Sequence, residues 1–479
     1  MMEKTKKAAL HNLGCKVNSY ELDVVQQSLV EKGYEIVPFN EEADIYIVNT
    51  CTVTNIADRK SRQMLHRAKA RNPLAVVVAV GCYVQTGKED VVMDDCIDLA
   101  IGNNRKKELV SILEEYLARR EVPEPDKTLG DTTIIDVNNT YEYEEMTLKR
   151  TAEHTRAYIK IQDGCNQFCS YCIIPYARGR VRSRRLEDVL AEIRGIVASG
   201  YQEVVLTGIH ISSYGIDFEE EAWQQGKSVE KLKKEGRHDY SGRSKLIDLL
   251  EKVQEIPGLN RIRIGSLEPR IVTEDFARRL AALDKVCPHF HLSLQSGSDA
   301  TLKRMNRHYT AGEYYSSVEI LRKYFDRPAI TTDVIVGFPQ ETEAEFLETC
   351  AFLDKVQFFE MHIFKYSKRK GTVAAEMPGQ VPDSVKSERS SRLLEMEEEQ
   401  SRAFRSFYIG REVEVLFEES KNIGGRIYQL GHTRDYVKIA LETEENLANQ
   451  IRTVKVDAFL NNEILNALKF SDKQGKIIR

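Results

Sequence analysis

Cys165-Asn166-Gln167-Phe168-Cys169-Ser170-Tyr171-Cys172 places three thiols in one short loop of a 479-residue chain, and the reading of this loop decides the fold. Three thiolates at CxxxCxxC spacing can hold three irons of a cubane 4Fe–4S cluster, leaving the fourth iron without a protein ligand. Such an open iron can bind S-adenosylmethionine, and an electron from the cluster can then cleave a carbon–sulfur bond to give a 5′-deoxyadenosyl radical. The competing reading is a zinc site. Structural zinc wants four protein ligands; no fourth lies nearby in the chain, though a distant cysteine could close such a site.

On the C-terminal side of the loop, strand and helix patterns alternate over 151–370. Strand candidates lie at 203–206, 261–264, 291–294, 331–336 and 361–364. This predicts a full or partial (β/α) barrel with its chemistry at the strand C-terminal ends. A polar segment at 218–243 interrupts the pattern and reads as a loop insertion. On the N-terminal side, apolar runs lead into Gly14-Cys15, Asn49-Thr50-Cys51 and Gly81-Cys82, with helix candidates at 20–32 and 56–71. That alternation predicts a parallel α/β sheet.

Strands of a parallel sheet end along one edge, so Cys15, Cys51 and Cys82 are expected to converge and ligate a second cluster, again with an open position. The plain alternative is that they are buried cysteines at strand ends. Cys96, Cys287 and Cys350 lack the strand–turn–Cys placement and are expected to be structural. Beyond the barrel, a charged helix candidate at 384–407 precedes short β-like stretches at 412–417, 425–428, 436–440 and 452–456, which fit a small antiparallel barrel. The expected class is α/β, divided into an N-terminal α/β domain at 1–120, a polar linker at 121–150, a partial barrel at 151–385, and a helix plus β-barrel at 386–479.

The formal charge of −5 excludes a globally basic nucleic-acid binder, so local basic stretches must carry any RNA contact. No apolar run is long enough to span a bilayer, and the start does not read as a secretory signal; a cytoplasmic setting without membrane contact is expected. Nine cysteines spread over a chain of this length suit metal or redox chemistry better than disulfides. A nicotinamide-dependent enzyme is disfavoured, because no GxGxxG turn follows an early strand. A noncatalytic RNA-binding protein with structural metal sites stays open.

The two cysteine sets and the C-terminal β-segment resemble, over nearly the whole chain, the methylthiotransferase family of radical S-adenosylmethionine enzymes. The segment Gly431-His432-Thr433-Arg434-Asp435-Tyr436-Val437-Lys438 looks like part of a TRAM domain. Leu13-Gly14-Cys15-Lys16-Val17-Asn18-Ser19-Tyr20-Glu21, Asn49-Thr50-Cys51-Thr52-Val53-Thr54 and the run from Pro175 to Arg184 resemble the branch acting on N6-threonylcarbamoyladenosine at tRNA position 37. The branches acting on isopentenyladenosine in tRNA or on a ribosomal-protein aspartate are the alternatives. The resemblance implies two 4Fe–4S clusters, Cys15/Cys51/Cys82 holding the sulfur-donating one and Cys165/Cys169/Cys172 the radical-generating one. It further implies S-adenosylmethionine, a tRNA anticodon loop as substrate, and an electron donor such as flavodoxin or ferredoxin.

Cofactor contacts are expected at barrel strand ends: Tyr171 between two ligands, Thr207-Gly208 where the backbone can approach closely, and the polar Ser266, Glu268, Gln295 and Asp333. Individually, such polar residues are more often caps or hydrogen-bonded loop residues. RNA contacts are expected from Arg178, Arg180, Arg182 and Arg184 after the cluster loop, from the basic helix at 56–71, and from Arg434, Tyr436 and Lys438 in the C-terminal barrel.

Overall fold

The computed structural model describes residues 5–120, 131–150, 155–218 and 244–468. Residues 121–130 of the expected linker, and the expected insertion beyond Phe218, lie outside them.

The N-terminal sheet holds β1 (Lys7–Asn12), β2 (Glu35–Val37), β3 (Ile45–Thr50), β4 (Val76–Gly81), β5 (Leu99–Ile101) and β6 (Asp131–Thr133). Their order is β2-β1-β3-β4-β5-β6 and every neighbouring pair is parallel. Both β3 and β4 are buried at every residue, which is why they read as unbroken apolar runs. Helix α1 (Lys16–Glu31) follows β1, α2 (Asn55–Arg71) follows β3, and the short α3 (Cys82–Thr86) follows β4. The Thr54 hydroxyl caps α2 by accepting from the Ala57 amide.

The linker expectation needs correction where it is described. Strand β6 adds an edge to the sheet, and the following segment buries Met146 and Leu148 in the main core. The Tyr20 hydroxyl of α1 donates to the Met146 carbonyl at 2.5 Å. Residues 131–150 therefore act as a packed strap, with Val137, Met146 and Leu148 inserted where a free linker would expose them.

The central unit holds β7 (Arg156–Asp163), β8 (Arg182–Ser183), β9 (Glu203–Gly208), β10 (Arg261–Ile264), β11 (His289–His291), β12 (Ala329–Val336) and β13 (Glu360–Lys365). β7, β9 and β10 pair in parallel, as do β11, β12 and β13. Parallel bridges Ile262–Val286 and Leu267–Leu292 join the two groups into a partial barrel. The strand expected at 291–294 ends earlier, at His291. On β7, Ala157, Ile159 and Ile161 face the helix layer and its core, while Lys160 turns to the other side, where α1 packs across β7 and β9.

At the C-terminus, β14 (Glu412–Ile423), β15 (Arg426–Thr433), β16 (Lys438–Glu442), β17 (Ile451–Phe459) and β18 (Ile464–Leu468) close a barrel in the order β14-β15-β16-β18-β17. Four seams are antiparallel and the β16–β18 seam is parallel. This barrel docks on the N-terminal ends of the central strands: Arg261 donates to the His432 carbonyl at 3.0 Å, and Arg156 pairs with Glu418 at 3.2 Å. The helix Asp383–Ser406 packs along β13, fastened by Arg405–Glu360 at 2.5 Å and Arg389–Glu341 at 2.7 Å. By contact it belongs to the central unit's outer layer, so a boundary at 385 cuts it from the body it packs on. No helix among the described residues is long and apolar enough to cross a membrane.

Candidate active site

Cys15 precedes α1, Cys51 follows β3 and Cys82 opens α3, so all three sit on the C-terminal edge of the parallel sheet. Two glycines make the convergence possible. Gly14 has φ +113°, and a Cβ there would lie 3.1 Å from the Cys51 Sγ; Gly81 has φ +104°, and a Cβ would lie 2.6 Å from Asn49 Oδ1. Asn18 then pins the loops: its Nδ2 donates to the carbonyls of Leu13 (2.7 Å) and Thr50 (3.1 Å). The Ser61 hydroxyl lies on both the amide and the carbonyl of Cys51. Burial pushes the Cys51 thiol up to about 11, and the neighbouring Cys82 and Cys15 add to the rise. The Cys15 thiol is raised for the same first reason although solvent reaches it, because the space it faces is ringed by protein.

The second trio lies just past β7. Gly164, at φ +72°, is so crowded that a Cβ would sit 1.8 Å from the Arg180 carbonyl oxygen. The Cys165 amide donates to the Gly179 carbonyl at 3.0 Å, and the Cys172 amide to the Cys169 carbonyl at 2.9 Å. Arg307 donates to the Cys169 Sγ at 3.3 Å while its Nε donates to the Tyr309 hydroxyl at 2.9 Å. Burial, followed by the Cys169 charge, pushes the Cys165 thiol up to about 12 and the Cys172 thiol higher still.

The donor sets fit two iron–sulfur clusters. Each site offers three thiols and no fourth cysteine: Cys287 lies beside Arg263 and Glu203, Cys350 on the helix Glu343–Val356, and Cys96 beside Asp94. Thiols raised by burial are protonated at neutral pH, so they become good ligands only by losing protons to a bound metal.

Two polar joints bring the trios to one space. Asn103 donates from Nδ2 to the Cys82 Sγ at 3.5 Å and to the Ala177 carbonyl at 2.7 Å, on the short helix Ile174–Arg178 that follows the Cys165 loop. Arg178 binds Glu21 of α1 at 2.8 Å, Asp163 at 3.1 Å and the Asn18 Oδ1 at 2.6 Å. Lys106 and Lys160 also meet Glu21, and Lys160 meets Asp163 at 2.6 Å. Burial opposes the Glu21 charge, but Arg178, Lys106 and Lys160 outweigh it and hold the carboxyl well below its usual range. On the opposite rim, Arg369 after β13 donates to Asn55 (2.8 Å), Asp58 (2.6 Å) and Thr52 (2.6 Å), next to Cys51. The N-terminal sheet thus covers the mouth of the partial barrel.

Several RNA contacts expected from sequence are corrected by burial. Arg178, Arg182 and Arg184 are each at most 1% exposed and engaged internally: Arg178 as above, Arg182 near Asp163 at 3.9 Å, and Arg184 on Glu192 and Glu145. A guanidinium enclosed and neutralised by carboxylates cannot reach a phosphate. Arg434 donates to the carbonyls of Asp284 and Val286, serving as a brace between barrels. Tyr436 is stacked between His289 (centroids 4.7 Å) and His432 (4.5 Å), which takes its ring away from any base. Arg180 is half-buried with its guanidinium 4.3 Å over the Phe168 ring, and Phe168 meets the exposed Tyr176 edge-on at 6.0 Å. Lys438 is half-buried, 3.8 Å from Glu419.

The expected cofactor residues gather at the barrel mouth. The Tyr171 ring packs with Met305, Phe338, Tyr366 and Ala374. Thr207 and Gly208 end β9, and a Cβ on Gly208 would sit 2.9 Å from the Gln162 carbonyl. Ser266 is exposed just past β10. Glu268 is 4% exposed; Oε1 accepts from Arg270 at 2.7 Å, whereas Oε2 has no partner among the described residues. Gln295 takes φ +74°, and its amide donates to the Asp333 carbonyl at 2.8 Å. Asp333 lies 3.4 Å from His291 and across from His362 on β13. Sequence reasoning missed Asn18, Asn103, Arg307 and Arg369. Only the tertiary fold brings them to the thiols, and no spacing rule announces them.

Lys16, next to Cys15, keeps solvent-exposed surface yet lies within electrostatic reach of Arg156, Arg263, Glu203, His289 and His362; the surrounding protein, then Arg156 and Arg263, push it down to about 8.

Comparisons with known proteins agree with this geometry. Residues 159–353 match the Radical SAM superfamily, and residues 7–102 match a family described as uncharacterized protein family UPF0004. The chain is 38% identical to the threonylcarbamoyladenosine tRNA methylthiotransferase MtaB of Bacillus subtilis, covering 94% of this chain and 93% of the relative. It is 36% identical to the protein of that name from Aquifex aeolicus, covering 94% and 100%. It is also 34% identical to the tRNA-2-methylthio-N(6)-dimethylallyladenosine synthase of Moorella thermoacetica, covering 95% and 97%. Among solved structures, the radical S-adenosylmethionine methyltransferase TsrM of Kitasatospora setae, with cobalamin and a [4Fe-4S] cluster bound, aligns with a TM-score of 0.53 at 16% identity, covering 78% and 77%; that likeness concerns the fold. With two three-thiol sites at one barrel mouth and relatives of this kind along nearly its whole length, the chain belongs to the radical S-adenosylmethionine methylthiotransferase family.

Proposed function

We propose that this chain methylthiolates carbon 2 of N6-threonylcarbamoyladenosine at position 37 of tRNA, giving 2-methylthio-N6-threonylcarbamoyladenosine. The carrying observation is the pair of joints, Asn103 and Arg178, that bring both thiol trios to the same barrel mouth. The branch is supported by the Bacillus and Aquifex relatives, whose names carry that nucleoside.

Carbon 2 of adenine has neither an acidic proton nor a leaving group, so radical chemistry supplied by the clusters and S-adenosylmethionine suits it. In this reading Cys165, Cys169 and Cys172 hold the radical-generating cluster, and Cys15, Cys51 and Cys82 the sulfur-donating one. Arg307 steadies the first site through the Cys169 sulfur. Arg178, held in the buried cluster of Lys106 and Lys160 with Glu21, Asp163 and Glu144, offsets thiolate charge near Cys15. The unpartnered Glu268 oxygen is suited to a donor on S-adenosylmethionine, with Tyr171, Thr207, Gly208, Ser266, Gln295 and Asp333 around it. The anticodon loop meets Arg180, Phe168 and Tyr176 beside the mouth, the exposed Arg59, Lys60 and Arg67 of α2, and Lys438. A reducing partner such as flavodoxin or ferredoxin supplies electrons, and the setting is the cytoplasm.

The test is anaerobic reconstitution with iron and sulfide, reductant, S-adenosylmethionine and tRNA carrying the threonylcarbamoyl modification, followed by nucleoside mass spectrometry. The expected product is the 2-methylthio form. Conversion of isopentenyladenosine tRNA alone would overturn the branch, and absence of 5′-deoxyadenosine would overturn the radical chemistry.

A further inference from the structure

At the N-terminal edge of the first sheet, opposite to the edge that carries Cys15, Cys51 and Cys82, three side chains of different chemistry converge. His66 lies on α2, eleven residues beyond Asn55 and so about 16 Å along the helix from its start beside Cys51. Asp94 and Cys96 come from the turn that leads into β5. One ring nitrogen of His66, one carboxylate oxygen of Asp94 and the Cys96 Sγ all lie within 4.8 Å of one another. The turn is fixed in this pose by contacts on both sides. The Cys96 amide donates to Asp94 Oδ1 at 3.0 Å, while Oδ2 faces the His66 Nε2 at 2.8 Å. Lys69, three residues after His66 and on the same side of α2, binds Asp98 at 2.8 Å. The Val77 amide of β4 donates to that Asp98 oxygen, also at 2.8 Å. His66 is exposed, and Asp94 and Cys96 are half-buried, so the cluster opens to solvent. An exposed imidazole–carboxylate pair adds little stability by itself, and it gives no reason for a thiol beside it.

We infer that His66, Asp94 and Cys96 form a zinc site that clamps the turn before β5 onto α2, independent of the function proposed above. Imidazole, carboxylate and thiolate donors together suit zinc. Magnesium and calcium take oxygen ligands, and an iron–sulfur cluster needs several thiols. Bonds of about 2.0–2.3 Å set ligand-to-ligand distances of about 3.3–3.8 Å around a tetrahedral ion. The separations in the structure run from 2.8 Å to at most 4.8 Å, and side-chain shifts of about 1 Å or less bring them to those values. The exposed His66 ring has room to make most of that adjustment. Three protein ligands leave the fourth position to water, which makes the site exchangeable rather than closed. Once bound, the ion turns a weak surface pair into a crosslink between helix and turn. The Lys69–Asp98 contact then supports that crosslink from outside.

The experiment titrates zinc into the full chain after anaerobic reconstitution with iron and sulfide, comparing wild type with His66→Ala and Cys96→Ser. Zinc, iron and sulfide are counted after desalting, and X-ray absorption at the zinc edge reports the ligands. Wild type is expected to retain about one zinc with a single sulfur neighbour at about 2.3 Å and otherwise nitrogen and oxygen. Loss of an outer partner alone lowers metal affinity by about 10–100-fold, so each variant, lacking a ligand, should bind zinc at least about ten-fold more weakly. Iron and sulfide should stay at the wild-type level, and zinc should raise the melting temperature of wild type alone. Two or three sulfurs around the zinc would place it in one of the thiol trios and overturn the inference. So would unchanged zinc affinity in either variant, a wild type that retains none, or a variant that loses iron together with zinc.

Discussion

The two thiol trios solve one chemical problem by opposite routes. Cys165, Cys169 and Cys172 share a single loop, fixed mainly by backbone hydrogen bonds within the loop and to the Gly179 turn. Cys15, Cys51 and Cys82 come from three strands and meet only because β1, β3 and β4 are parallel and in register. The first site is a local motif set on a barrel, and the second is a property of a whole sheet. The contrast teaches where each is vulnerable: the loop site through its own residues, the sheet site through distant residues that place its strands.

The largest expected effect comes from removing ligands. Cys165→Ala and Cys51→Ala should each abolish methylthio product, yet differ in what survives. By iron and sulfide counting each variant keeps the other cluster, and only the Cys51 variant still cleaves S-adenosylmethionine to 5′-deoxyadenosine. Equal loss of both clusters in Cys51→Ala would mean the sites assemble as one unit, and the contrast would fail.

Next comes the joint. Glu21→Gln removes the carboxylate that gathers Arg178, Lys106 and Lys160, leaving these buried cations with only Asp163 and the nearby Glu144. Breaking a buried ion network in this way costs about 3–5 kcal/mol, readable as a lower melting temperature and denaturant midpoint. Because Arg178 also holds Asn18, the sheet site should lose iron faster than the loop site.

Gly81→Ala sharpens the comparison further. The added Cβ meets the Asn49 side chain at 2.6 Å and the Thr50 carbonyl at 2.8 Å, at a φ that disfavours any L side chain. About 1–3 kcal/mol of strain is expected, falling on the turn that presents Cys82. Iron analysis should show depletion at the sheet site while S-adenosylmethionine cleavage persists.

Legibility in the sequence follows the same division. The loop site could be read from eight consecutive residues, and β3 and β4 from apolar runs that only a doubly covered strand needs. Strand β7 escaped notice because Arg156, Lys160, Gln162 and Asp163 interrupt its pattern, and those polar groups are there to line the lumen and anchor α1. The run of arginines after the loop misled for a related reason. Alternate basic residues look like a phosphate-binding stripe, but their partners Glu21, Asp163, Glu145 and Glu192 lie far away in the chain or on another face. Charge is visible in a sequence, and its neutralisation is a tertiary fact. Strand β18 was missed as a short edge element that closes the small barrel only once β16 stands beside it.

The smallest effect tests the asymmetry without touching a ligand. Among the described residues, Asn103 is the one direct hydrogen-bond link between a thiol of the sheet site and the segment following the loop site, through the Cys82 sulfur and the Ala177 carbonyl. Loss of such an outer contact lowers metal affinity by about 10–100-fold. Asn103→Ala should therefore release iron to a chelator faster from the sheet site alone. Acid should magnify the difference: the buried Cys51 thiol, raised to about 11, and Cys165, raised to about 12, bind a proton in competition with iron at any lower pH. Retention is then expected to rise with pH in both proteins, with the variant's curve displaced toward higher pH. The sheet site can slip toward protonation in this way because Asn103 reaches it from outside its own strands, whereas the loop site keeps its Arg307 contact on Cys169 in either protein. Identical release curves for wild type and variant would show that the sheet holds its cysteines without help from the barrel, and that facing the loop site is no part of how it is built.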